Sequence, residues 1–147
     1  MPKFEFRLQS VLNIKKQMEE SLKNEYGKAV KRLEREKEKL KHIEIEQEEC
    51  MKKMSSDSSK GVKVLKLKEY SVYISRLKEK AQLQKENINM AQKNADNYRE
   101  RLVKAMQERE ILEKLKEKKY QEYLVSRLKA EEKLSEEIAG YNYTNEK

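Results

Sequence analysis

The chain has 147 residues, 42% of them charged and 36% hydrophobic, with three glycines, one proline, no tryptophan and a formal net charge of +8. That balance suits a long helix or coiled coil, whose two-helix seam buries only about two residues in seven, and it excludes a thick core or a pocket enclosed on all sides. An enzyme is therefore the least expected class.

Basic residues outnumber acidic ones by 14 to 11 over residues 1–54 and by 13 to 8 over 55–112, and the two are equal at eight each over 113–147. Lysines and arginines alternate with glutamates throughout, as on a solvated coiled-coil exterior, so no nucleic-acid partner is expected. A modest attraction to acidic partners remains. The single cysteine, Cys50, has no disulfide partner, and charges at Lys3, Glu5 and Arg7 leave no room for a signal-peptide core. No run approaches the ~18 apolar residues of a membrane span. The expectation is a soluble cytoplasmic protein.

The opening residues MPKFEFR alternate apolar and polar and hold the only two phenylalanines, Phe4 and Phe6. A frayed end is one reading. Two large aromatics at a polar terminus fit better as side chains that pack, on a second helix or on another protein. Helical spacing sets in near Leu8 and continues through Val11, Ile14, Met18, Leu22, Tyr26, Ala29 and Leu33 to Leu40, Ile43, Gln47, Cys50 and Met54. Helix 1 thus spans about residues 4–54. Successive steps of four from Ile14 to Tyr26 depart from a strict heptad and predict a stutter, with a weak point at Gly27.

The run SSDSSKG is the one cluster of loop-forming residues, so the turn falls over about 55–62. From Leu67 to Leu112 a stripe of alternating steps of three and four follows, broken only by Gln84 and Arg109 and free of glycine and proline. A connection this short makes neighbours antiparallel, so the partner of that stripe is helix 1 of the same chain. With the turn centred near residue 58 or 59, Cys50 faces Leu67, Ile43 faces Ile74, Leu40 faces Leu77 and Ala29 faces Ile88. Glu36 then meets Ala81 and Leu33 meets Gln84, so the polar interruptions do not coincide. The fold class is all-α, an antiparallel two-helix coiled coil or long α-hairpin, one unit over 1–147 with helix 2 the longer.

Helix 2 spans about residues 63–139, with Gly140 as its cap. In this register Phe4 reaches only to about Glu113, so the amphipathic pattern of Leu115, Tyr120, Leu124, Leu128, Leu134 and Ile138 has no partner within the chain from about residue 114. Such a segment is either partly disordered or waiting for a partner, and the partner is the reading adopted.

Catalytic chemistry is absent from the sequence. The one histidine, His42, lies on an outward position, Cys50 is a seam thiol, and there is neither a phosphate-binding glycine loop nor a nucleophile with its base. No catalytic residue, metal or cofactor is expected. Tyr70 belongs to the seam, while Val72 and Tyr73 lie beside it near the turn, either offered for protein contact or lying across the seam edge.

The run from Phe4 to Lys15, FEFRLQSVLNIK, followed by a Lys/Glu-rich helix, a short polar turn and a longer second helix, resembles the FliJ family of flagellar type III export proteins. The resemblance implies a small cytoplasmic export component, similar to the stalk helices of rotary ATPases. It would lie at the cytoplasmic face of the cell membrane near the flagellar base, held there by protein contacts only. Implied partners are the hexameric export ATPase ring, the membrane export-gate protein and export chaperones. By the same resemblance the end holding both termini, with Phe4, Phe6, Leu8, Leu115, Tyr120, Leu124 and Leu128, would face the ring. Ile43, Cys50, Tyr73 and Leu77, with Glu46 on the same stretch, would face the gate. Two alternatives stay open: a generic scaffold or homodimeric adaptor whose overhangs pair, and a basic helical nucleic-acid binder.

Overall fold

The computed structural model describes residues 3–145; Met1, Pro2, Glu146 and Lys147 lie outside the described residues. Two helices, α1 (Gln9–Ser59) and α2 (Val64–Asn145), pack against each other with no strand among the described residues, and α2 is the longer. They fall into two compact units, Leu22–Leu102 with the turn, and Met1–Ser21 with Val103–Lys147.

In the turn unit the seam of α1 runs through Ala29, Leu33, Ile43 and Cys50, all buried. Opposite lie Ile74, Leu77, Ala81, Gln84, Ala91 and Ala95, equally buried. With the half-buried Glu36, Leu40 and Gln47 of α1 and Ile88 of α2, both sets alternate steps of three and four, the spacing that keeps one helical stripe on its partner. Ile43, Cys50, Ile74, Leu77 and Ala81 form one cluster, joined at its edge by Leu40, Met54 and Tyr70. Gly27 does not interrupt α1, and a Cβ there would meet nothing within 4 Å.

The turn is shorter than its composition suggests. SSDSS continues the helix, because its polar side chains bond to the local backbone and to α2 instead of breaking the last turns. Ser59 Oγ donates to Ser56 O at 2.8 Å, the Tyr70 hydroxyl donates to Asp57 Oδ2 at 2.5 Å, and Lys66 lies 3.8 Å from the same carboxylate. Among the described residues only Gly61 takes a left-handed conformation, with φ +80°, which a residue without Cβ adopts at little cost.

Moving the turn toward the C-terminus changes the register. Glu36, expected opposite Ala81, meets Gln84, whose Nε2 donates to Glu36 O at 2.8 Å and to Glu36 Oε2 at 2.5 Å. The two polar interruptions coincide, and each satisfies the other in the seam. A polar pair of this kind specifies register at a cost in stability. Replacing Gln84 alone with leucine should therefore lower the melting temperature by leaving Glu36 facing an apolar side chain. Glu36→Leu with Gln84→Leu should raise it above that of the unmodified chain. Thermal melts followed by circular dichroism check both directions.

In the unit holding both termini Leu12 is 1% exposed and Ala105 6%. Val11, Ile14 and Met18, expected in the seam, are instead exposed at 40%, 55% and 46%. The seam passes through Leu8, Leu12, Lys15 and Glu19 in steps of four, three and four, so there is no stutter. The reason is ionic. α2 presents Glu108 and Arg109 here; Lys15 Nζ reaches Glu108 Oε2 at 2.8 Å, Arg109 Nε donates to Glu19, and Arg109 Nη1 donates to Glu113 Oε2 at 2.8 Å. Turning Val11 and Ile14 inward would take Lys15 and Glu19 away from these half-buried α2 charges, leaving Arg109 only carboxylates of its own helix.

Two boundaries of this unit differ from expectation. Residues 3–6 are not helical, and α1 begins at Gln9, with Gln9 N donating to Phe6 O at 3.0 Å. A helix advances only about 1.5 Å per residue, so a segment that leaves it reaches farther along α2 than the same residues would as helix. Phe4 consequently meets Tyr120 and Tyr123, and the stretch after residue 114 is partly covered. Continuous exposure begins at Val125 and lasts to Asn145. Gly140 is not a cap, because α2 runs on to Asn145.

Candidate functional site

Two surfaces collect apolar side chains that the seam does not use. The first belongs to the unit with both termini. The Phe4 ring lies edge-on to Tyr120 at 5.2 Å between centroids and tilted against Tyr123 at 5.6 Å, while Tyr120 and Tyr123 stack at 6.4 Å. Phe6, Leu8 and Leu115 line a shallow pocket with Phe4 and Tyr123; Leu124 is half-buried, and Leu128 is 60% exposed. The structure thus brings Phe4, Phe6, Leu8, Leu115 and Tyr120 together, with Leu124 and Leu128 farther along α2.

Along α1 the same unit presents Ser10, Val11, Ile14, Gln17, Met18 and Ser21 on one helical face, all exposed. None is charged, in a chain 42% charged. Loss of charge around a small apolar centre is the compositional mark of a contact surface. The sequence signal for this stripe was its uninterrupted apolar spacing, but that spacing reads equally as seam.

The second surface is an open groove of about 900 Å³ beside the turn, floored by Cys50 and walled by Leu65, Val72 and Tyr73. Leu65, Val72 and Tyr73 are 69%, 52% and 43% exposed. The Tyr73 hydroxyl donates to Glu46, which ties the ring to α1 and leaves one face open. Of the four candidates at this end, Ile43, Cys50 and Leu77 are buried seam residues, and only Tyr73 offers surface. Seam positions point at the partner helix, so of these three only Cys50 reaches the groove, as its floor. Lys53, Lys66, Lys68 and Arg76 stand at its margin against Glu46, Glu49 and Glu69, a slight basic excess.

The carboxyls of Glu36 and Asp57 are held below their usual values first by the hydrogen bonds from Gln84 and Tyr70, and that of Glu108 first by the hydrogen bond from Lys15. Depressed folded-state values mean that the stability these groups contribute is present above the ordinary carboxylate range, near 4.5 for Glu and 3.8 for Asp, and is lost as pH falls through the depressed values. The melting temperature should decline on acidification below that range, and Glu108→Gln should flatten the decline. The phenols of Tyr70 and Tyr73 are raised by their hydrogen bonds to Asp57 and Glu46. Their contribution holds below pH 10 and is lost as pH rises through the raised values.

Among the described residues no group of three His, Cys, Asp or Glu side chains could hold a metal ion, and no helix is long and apolar enough to cross a membrane. The arrangement offers contact surfaces and ion-paired seams. A family model described as flagellar FliJ protein matches residues 4–147. No curated protein and no solved structure matches the chain.

Proposed function

The chain belongs to the FliJ family of flagellar export proteins, and from that premise we propose that it is a coiled-coil stalk which touches the export ATPase ring with the unit holding both termini and the export gate with the groove beside the turn. The observation that carries the reading is the uncharged stripe of Ser10, Val11, Ile14, Gln17, Met18 and Ser21, exposed where the seam beneath it is ionic. A helix that keeps charge inside its seam and apolar side chains outside has a second surface to cover.

At this end Phe4, Phe6, Leu8, Leu115, Tyr120, Leu124 and Leu128 form the remainder of the ring contact. A stalk that contacts some ring states better than others stabilises those states, and so biases assembly or hydrolysis. At the turn Tyr73, with Val72 and Leu65, is the gate contact, and Ile43, Cys50 and Leu77 position it from the seam. The basic margin of the groove suits an acidic partner surface. Export chaperones are further partners, and the site of action is the cytoplasmic face of the membrane at the flagellar base, reached through these protein contacts.

Two measurements test the two ends separately. Adding the full chain to its cognate export ATPase should raise the rate of ATP hydrolysis, and a chain ending at residue 113 should leave it unchanged. An equal rise with the truncated chain removes the overhang from the ring contact. Tyr73→Ala with Val72→Ser should weaken binding to the soluble domain of the gate protein without changing that rate. Unaltered gate binding removes the groove from the assignment.

A further inference from the structure

Beyond the reach of the seam, α2 carries a second heptad stripe in a phase of its own. Tyr120, Leu124, Arg127, Glu131, Leu134 and Ile138 alternate steps of four and three, one residue out of step with the continuation of Ala105, Arg109 and Leu112. A change of one residue turns the stripe by about 100°, so it stands to the side of the line that α1 occupies; Tyr120 carries the Phe4 ring at its near end, and from Val125 on the helix is exposed. Leu128, Leu134 and Ile138 are exposed at 60%, 57% and 53%.

This stripe is complementary to itself when reversed. Laid antiparallel on a second copy about a two-fold axis at Lys129, Leu124 meets Leu134 of the second copy, Tyr120 meets Ile138, and Arg127 meets Glu131. The two Leu128 side chains meet each other beside the axis. Arg127 already reaches Glu131 Oε1 at 3.3 Å within its own chain, so pairing would join two such ion pairs into a ring of four alternating charges. A parallel pairing would instead stack Arg127 on Arg127 and Glu131 on Glu131. Two-fold interfaces require that each residue's partner be met in return, and a stripe shaped for an unrelated helix is under no such constraint.

We propose that two copies of this chain pair antiparallel through residues 120–138, with Arg127 and Glu131 setting the direction and register. Only about three heptads are engaged, so the dimer is reversible. The paired surface includes Tyr120, Leu124 and Leu128, so self-pairing and ring engagement exclude each other. The pairing stands on the stripe alone, and only the exclusion rests on the ring assignment.

The test uses full-length chains carrying Cys50→Ala, one with Leu124→Cys and one with Leu134→Cys, treated with a short bis-maleimide. A mixture of the two should give a cross-linked heterodimer, and each chain alone should give little product. Cross-linked Leu124→Cys homodimers would show a parallel pairing and overturn the proposal. So would the absence of any product together with a monomer at every concentration in sedimentation. Arg127→Glu should weaken association about tenfold or more, and Glu131→Arg in the same chain should restore it; failure of that rescue overturns the register. A cross-linked dimer that still stimulates the ATPase overturns the exclusion and leaves the pairing standing.

Discussion

A chain with Ile14→Glu and Met18→Glu will fold as the unmodified chain does and will leave the export ATPase at the rate of the ring alone. Both side chains are about half exposed, so neither substitution opens a cavity or buries a charge. Surface changes of this kind shift stability by about 0.5 kcal/mol or less. Contact is a different matter, because two carboxylates placed in the apolar centre of an interface must be desolvated without partners when it closes. Melting temperature and helix content measured alongside ATP hydrolysis separate the two effects. Full stimulation by the doubly substituted chain would show that the stripe does not carry the ring contact.

Leu12→Ala will cost about 2–5 kcal/mol, the range for emptying a fully buried leucine site, whereas Ile14→Ala will stay within about 0.5 kcal/mol. The contrast follows from burial, since Leu12 is 1% exposed and Ile14 55%. Both residues are aliphatic, two positions apart on one helix, and apolar spacing alone ranks Ile14 as the seam residue. Denaturant midpoints of the two variants decide between these arrangements. The reverse ranking would place a stutter back in α1.

The stripe from Leu67 to Leu112 was legible because it is long, regular and uninterrupted by glycine or proline, and the structure keeps it as the seam of α2. The first turns of α1 were not legible. There two candidate stripes overlap, one through Val11, Ile14 and Met18 and one through Leu8, Leu12, Lys15 and Glu19, and hydrophobicity favours the wrong one. What decides is the identity of the residues opposite: Glu108 and Arg109 need counterions, and Lys15 and Glu19 supply them. The turn was misplaced for a related reason. Serine and aspartate read as loop formers, yet Asp57 accepts from Tyr70 and Ser59 donates to Ser56, so the same residues finish a helix.

For the candidate sites the division is similar. The aromatic cluster at the N-terminus was foreshadowed by Phe4 and Phe6 standing alone in a polar stretch, but its reach to Tyr123 depends on residues 3–6 lying outside the helix. At the other end Tyr73 was separable from the seam by spacing, while Ile43, Cys50 and Leu77 carry the same spacing as any core residue and are buried.

Two helices packed against each other, the second longer than the first, follow from the residue pattern alone. Local periodicity and the shortness of the polar turn suffice for that. Which residues of α1 face inward, and which seam positions meet, emerge only once the helices are packed. Both depend on pairing charges and polar groups across two helices, a property of the register and not of either helix alone.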